Sequence, residues 1–434
     1  MTAGAGGDTS RRSRWSQALV AVALVYAAAH FWASGVRGPL SSPNLDKFDE
    51  QTPALSEYLQ SGTVAHVLPM QYGPTFFFVM HPLLRVTNGD RERLSLLLYG
   101  LQIACLGLGF ALTCATLRRV ETIPNHSWPV IAGWLAALWL NFTPLYSILV
   151  IKSVETWELL LIALALYAHV RRWPVVTAGA LAAAGLIKIL PFVFVAYLML
   201  TDRRAFVYSL AAAAVVLLAS HAIYGAEMGL AYLPHHTGSS LGFSYGLNWH
   251  ENVSLKAAIA KAFGHLDPEG SRYVGFTRPQ LTAAILVGDF SLVSGVALLA
   301  RALLAQVAPR SPRTVLWEWS LVACAILILS PNTTIEYAVL ALGAASYVLV
   351  RLLTAESPST ATWTCFAGAM FLLGGILPRS LLTAMTFSSA IGRWRGYTAL
   401  TPTETYQYVC FPLAGLALLT FAVWRLKPQE AQAS

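Results

Sequence analysis

The amino-acid sequence predicts an all-α polytopic membrane protein of about twelve transmembrane helices, with short helices in its outer loops. Three observations predict it. The 434 residues are 56% hydrophobic and only 12% charged, about half the charge of soluble domains, and the mean hydropathy is +0.57. Apolar runs of about 18 to 24 residues, each enough for a roughly 30 Å hydrocarbon core, recur from Trp15 to Leu426. The period-two alternation of a membrane barrel does not appear.

In chain order the spans are expected near 15–35, 71–87, 93–115, 128–150, 154–170, 175–200, 204–224, 280–304, 313–330, 334–353, 361–384 and 405–426. They divide the chain into a basic cytoplasmic N-terminus (1–14), one transmembrane domain (15–426) and a cytoplasmic tail (427–434). The basic head before the first apolar run lacks a small-x-small cleavage site, so that run reads as a retained signal anchor. With the N-terminus inside, parity puts loops 36–70, 225–279, 331–334 and 385–404 outside and the C-terminus inside, where Arg425 and Lys427 suit it. It also puts Arg118, Arg119, Arg171 and Arg172 outside, opposite Arg203 and Arg204. If 71–87 and 175–200 are instead re-entrant, those middle loops change sides while 36–70 and 225–279 stay outside.

The net charge of +8 sits in short clusters at span ends: Arg11, Arg12 and Arg14; Arg203 and Arg204; Arg310 and Arg313; Arg425 and Lys427. That is cytoplasmic anchoring beside anionic headgroups, not nucleic-acid binding. The five cysteines, Cys105, Cys114, Cys324, Cys365 and Cys410, fall in apolar runs without CxxC spacing, so neither a zinc site nor a disulfide framework is expected.

Polar chemistry concentrates in two outer loops. The first carries Asp46, Asp49, Glu50 and Glu57; Asp46 and Asp49 share one face if the stretch is helical. A carboxylate at the mouth of a membrane cavity suits a general base, and the alternative is a solvated loop surface. Tyr72 and Pro74 open the next span, where free helix N–H groups attract anions; the alternative is that Pro74 simply occupies the first helical turn. The second loop, 225–279, is long enough to carry its own helix, near 253–264. It holds His235, His236, His250, Glu251, Asn252 and Ser254. These have no regular metal-ligand spacing and suit hydroxyl or phosphate recognition better.

Within the spans, Lys188 precedes Pro191, so a kink coincides with a cation that faces a partner or a cavity, the alternative being a snorkelling anchor at a helix end. Asp289, Glu318 and Glu336 are acids in or beside apolar helices, and Glu336 follows the helix-breaking Ser330-Pro331-Asn332. Arg379, Arg393 and Arg395 are cations on the side where a lipid phosphate would sit, and ordinary interfacial anchoring is the alternative.

Several of these features occur in an order that resembles the GT-C integral-membrane glycosyltransferases, most closely glycosyltransferase family 87. The matching elements are an acid-bearing loop after the first helix, Tyr72-Gly73-Pro74 with Pro82-Leu83, Ala184 to Pro191 followed by Arg203-Arg204, Asn252-Val253-Ser254-Leu255, and Ser330-Pro331 before a helix. Two positions depart from the family pattern. Lys152-Ser153-Val154-Glu155 replaces a Gly-Gln-x-Asn motif, and Glu336-Tyr337 replaces a Trp and a His-Tyr pair.

The resemblance implies a GT-C-like, glycosyltransferase-like domain in the plasma membrane, with its active site extracytoplasmic. It implies transfer of a sugar, mannose first, from a polyprenyl-phosphate donor to a cell-envelope glycolipid or glycan by single displacement. Asp46 or Asp49 would be the catalytic base. Tyr72, Lys188, His236, His250, Glu251, Asn252, Ser254, Glu336 and Arg379 would bind donor or substrate. A lipid monophosphate leaving group demands no divalent metal, and no cofactor is implied. The competing readings are a transporter or flippase for a lipid-linked or polar substrate, and a structural subunit that kept the fold without the activity.

Overall fold

The computed structural model describes residues 6–41, 45, 55, 72–230, 252–266, 274–305, 310–330, 332–374 and 410–428. These are helical apart from one two-residue ribbon. The elements are α1 (Gly6–Phe31), α2 (Pro74–Thr87), α3 (Arg91–Val120), α4 (Trp128–Leu140), α5 (Thr143–Ile151), α6 (Glu155–Val170), α7 (Pro174–Gly185), α8 (Phe192–Thr201), α9 (Arg203–Leu230), α10 (Leu255–Phe263), α11 (Arg278–Leu304), α12 (Pro312–Leu329), α13 (Leu342–Thr354), α14 (Thr360–Leu372) and α15 (Phe411–Arg425). A π-helical turn, Trp32–Arg37, and a short turn, Gly38–Ser41, extend α1; a 3-10 segment, Ile335–Ala341, leads into α13. Strands β1 (His265–Leu266) and β2 (Val274–Gly275) pair antiparallel between α10 and α11.

Local chemistry sets these boundaries. Asp90 caps α3 by accepting from the Arg93 N–H at 2.9 Å, a contact typically worth about 1 kcal/mol. Arg118 and Arg119 complement the negative end of that helix. Pro74, Pro174 and Pro312 each open a helix, where the missing N–H removes no internal bond.

Each expected span holds a helix or a helix pair in its described part, but among the described residues six helices are long and apolar enough to cross a membrane, or seven if α4 and α5, bent by 53°, form one span. The rest are shorter because the chain breaks. α7 and α8 form a hairpin, not the single kinked helix expected over 175–200. Pro174 and Thr201 line one cleft, and His169, at the foot of α6, lies 3.8 Å from Asp202. The chain therefore climbs along α7, turns at residues 186–191 and returns along α8. Gly185 makes the turn possible, because a Cβ there would lie 2.8 Å from the Phe192 ring.

This hairpin corrects the parity map. Arg351 of α13 and Arg313 of α12 both reach Glu121 at the end of α3, at 3.0 and 3.7 Å. Arg119, Arg171, Arg172 and Arg313 line one cleft, while Arg172, Arg204 and Arg310 line its neighbour. Arg119, Arg171 and Arg172 thus share an end with Arg204, as in the re-entrant alternative. Lys152 lies at the opposite end, where its Nζ donates to Pro39 O at 3.1 Å.

The central helices are α12 and α13, with Trp317, Tyr347 and Val350 wholly buried, as is Val339 in the 3-10 segment between them. Buried indole N–H groups need acceptors, and Trp317 donates to Val423 O and Trp139 to Ser346 Oγ, each at 2.9 Å. At the rim, α9 exposes Val207, Leu210, Val215 and Leu218, and α11 exposes Leu286, Phe290 and Val293. Large apolar faces at that position are lipid-facing surface. The described chain is therefore an all-helical, multi-pass membrane protein.

Candidate functional site

Non-helical backbone at membrane depth survives only where its polar groups find partners or line a cavity. Here the breaks meet one another at the end opposite the arginines. Gly73 N–H donates to Ile187 O at 2.8 Å and Thr75 N–H to Leu186 O at 3.2 Å, joining the start of α2 to the hairpin turn. Val253 N–H donates to Thr333 O at 2.6 Å, joining the entry to α10 to the break after α12. Gln102 Nε2 donates to Ser153 O at 2.6 Å, covering the break before α6. These junctions lie about 24 Å from the arginine end, the length of the 16-residue α6.

Lys188 stands at the tip of the hairpin turn, buried, with its Nζ 2.5 Å from Glu155 Oε1. The ammonium also lies over the Tyr337 ring at 4.4 Å and the Tyr72 ring at 5.2 Å from the centroids, two desolvated cation–π contacts. Removing a cation from water is costly, and the carboxylate and two rings offset that cost. Glu158, one turn after Glu155, is fully buried, and neither carboxylate oxygen has a hydrogen-bond partner among the described residues. The same holds for Trp157 Nε1 and Thr75 Oγ1. Buried polar atoms are nearly always satisfied, so a group of unsatisfied ones marks a place built for something polar. Glu336 accepts from Ser147 Oγ at 3.0 Å, linking α5 to the 3-10 segment that carries Tyr337.

The other expected residues divide. Tyr72, Lys188 and Glu336 belong to this junction. Asn252 and Ser254 hold the scaffold: Asn252 Oδ1 accepts from Ser254 N–H and Thr333 N–H at 3.0 and 3.1 Å, and Ser254 Oγ caps α10 by accepting from Ala257 N–H. Asp289 takes the Lys256 ammonium at 2.6 Å. Glu318 accepts from Arg310 and Tyr197 at 2.9 and 2.8 Å at the arginine end. The N-terminus of α2, expected to offer free N–H groups to an anion, gives the Gly73 and Thr75 N–H groups to the hairpin turn instead. Asp46, Asp49, His235, His236, His250, Glu251, Arg379, Arg393 and Arg395 lie outside the described residues.

Sequence reasoning passed over Glu158 altogether and met Glu155 and Tyr337 only as departures from a motif. The signal was present: two acids three residues apart in an otherwise apolar helix. Among the described residues no three His, Cys, Asp or Glu side chains group as metal ligands.

The first outer loop is pinned to this junction at both ends. Pro39, at its start, accepts from Lys152, and Tyr72, after it, faces Lys188. Leu45 and Leu55, from within it, are buried in one apolar cluster with Tyr72, Phe76, Val154, Trp157 and Ile187.

None of the curated proteins matches the chain. Among solved structures, the crystal structure of ArnT from Cupriavidus metallidurans bound to undecaprenyl phosphate aligns over 94% of this chain and 78% of that one, at 14% identity and a TM-score of 0.47, too distant to carry a residue or a ligand across. The model of glycosyltransferase family 87 matches residues 71–331, more than half of the chain, from the residue before Tyr72 through the hairpin, Glu155, Glu158 and Lys188 to Pro331. The chain therefore belongs to glycosyltransferase family 87.

Proposed function

We propose that this glycosyltransferase takes a sugar, mannose as first candidate, from a polyprenyl-phosphate donor and passes it to a hydroxyl of a cell-envelope glycolipid or glycan on the outer side of the membrane. The observation that carries the reading is Lys188, a buried ammonium held between Glu155 and two tyrosine rings where the helices break. A phosphate on a lipid tail reaches such a cation from within the bilayer. An ammonium with three N–H donors stabilises the charge that develops on the departing phosphate.

In this reading the acceptor oxygen bonds to the anomeric carbon as the bond from that carbon to the phosphate oxygen breaks. Asp46 or Asp49 takes the acceptor's proton, and the polyprenyl phosphate leaves. The support is positional: Asp46 directly follows the buried Leu45, and the loop begins and ends at the junction. Glu158, Glu336, Thr75 and Trp157 offer acceptors and donors to sugar hydroxyls, with Tyr72 walling the site. Broken helices also serve transporters; family membership favours transfer. A GT-C-like architecture and a multi-pass plasma-membrane protein with both termini cytoplasmic complete the reading.

The test is incubation of the purified chain with a panel of polyprenyl-phosphate sugars and detection of sugar transfer by mass spectrometry. Turnover with one lipid donor is expected. Uptake into vesicles with no turnover on any donor sinks the reading.

A further inference from the structure

The arginine end holds a second site, about 24 Å from Lys188 by the length of α6. The end of α3, residues 170–172 after α6 and the start of α12 enclose a cleft of about 640 Å³, lined by Arg119, Thr122, Arg171, Arg172, Ser311 and Arg313 among others. A neighbouring cleft of about 410 Å³ shares Arg119 and Arg171 and adds Arg118 and Tyr167. Among the described residues no acid lines either one, and every cation in them is arginine.

Three of these guanidinium groups are held in place. Arg171 donates from Nε and Nη2 to Tyr167 Oη at 3.2 and 3.0 Å and stacks on Trp173, 5.6 Å from the ring centroid. Arg118 donates to Asn125 Oδ1 at 2.8 Å and lies over Trp128. Arg313 leans on Glu121, whose carboxylate is shared with Arg351. Arg119 and Arg172 form no ion pair among the described residues. One acid divided between two arginines leaves the group strongly positive. Snorkelling anchors project singly toward headgroups, whereas these converge on shared clefts, with Arg118 and Arg171 set against aromatic rings.

We infer that this pair of clefts is a phosphate-recognition site that takes the headgroup of an anionic lipid. The guanidinium fork matches phosphate oxygens two at a time, which a lysine ammonium does not. Trp128, Trp173 and Tyr167 put the clefts at headgroup depth. By the excess of cations this end is cytoplasmic, the side where basic pockets between helices bind anionic headgroups. A soluble phosphate compound offers the same chemistry, so the test separates the two sources.

The full chain in detergent is titrated with dioleoyl phosphatidylglycerol, dioleoyl phosphatidylcholine or sodium pyrophosphate and read by native mass spectrometry. Phosphatidylglycerol is expected to bind in preference to phosphatidylcholine. The double variant Arg119→Gln/Arg172→Gln is expected to lose that binding about tenfold with an unchanged melting temperature, since neither side chain holds an ion pair among the described residues. Arg425→Gln, a cation at the same end that lines neither cleft, is expected to leave it intact. If pyrophosphate binds in place of the lipid and the double variant abolishes that, the site stands and its ligand is soluble. Equal loss in Arg425→Gln, or no preference for any phosphate anion over phosphatidylcholine, overturns the proposal.

Discussion

Lys188 and Glu155, 33 residues apart in sequence, meet at 2.5 Å and join the tip of a re-entrant hairpin to the first turn of α6. The pair makes the hairpin turn part of the site, because the turn cannot move without separating two buried charges. Removing one partner of such a pair typically costs about 3–5 kcal/mol, whereas replacing both by apolar groups is often neutral. Lys188→Met is expected to lower the melting temperature sharply, and Lys188→Met/Glu155→Leu to recover it. Neither is expected to transfer sugar. Transfer by the double variant removes Lys188 from the chemistry.

Asp46→Asn and Asp49→Asn, made separately, are expected to differ. Loss of a general base lowers turnover by about 10²–10⁴-fold, so one variant should lose transfer while still binding the polyprenyl-phosphate donor in an equilibrium assay. Full activity in both removes the loop from the reaction.

Gly185 packs against the Phe192 ring so closely that a Cβ would meet it at 2.8 Å. Gly185→Ala is expected to destabilise by about 1–3 kcal/mol, the usual cost of overpacking, and to reduce turnover by displacing Lys188. Gly185→Ala/Phe192→Leu is expected to restore part of both. A single variant with wild-type melting and turnover would show that the hairpin tolerates opening.

Asn252 serves as an acceptor for two backbone N–H groups. Asn252→Ala is expected to lose about 1–3 kcal/mol of stability by leaving them unpaired, while Asn252→Asp, which keeps the acceptor, stays near wild type. If Asn252→Ala melts normally but binds donor poorly, the side chain belongs to the substrate.

The shared arginine end puts residues 125 and 356 on one side of the membrane, where span parity separates them. In a chain freed of its five cysteines, Asn125→Cys and Glu356→Cys are expected to react with an impermeant maleimide together, and only after the cytoplasmic face is opened. Labelling from opposite sides refutes the hairpin topology.

Much of the fold was legible in the sequence because hydrophobic runs report burial in lipid directly. The runs located the described spans as helices or helix pairs, α10 was expected from the length of its loop, and Lys188 beside Pro191 marked a break in the α7–α8 span, while the break between α4 and α5 left no such mark. Asn252 and Ser254 were visible only as a motif, and a motif does not distinguish a side chain that holds the scaffold from one that holds a substrate. Local patterning determined the membrane class, the positions of the helices and an intramembrane cation that had to be accounted for. Tertiary structure alone decided that the chain turns back at residues 186–191, that Lys188 faces Glu155, Tyr72 and Tyr337, and that Arg119, Arg171, Arg172, Arg204, Arg310 and Arg313 gather at one end. The reason is physical: hydropathy depends on each residue's own transfer energy, whereas the direction of a break and the partner of a buried charge depend on which distant groups can satisfy them.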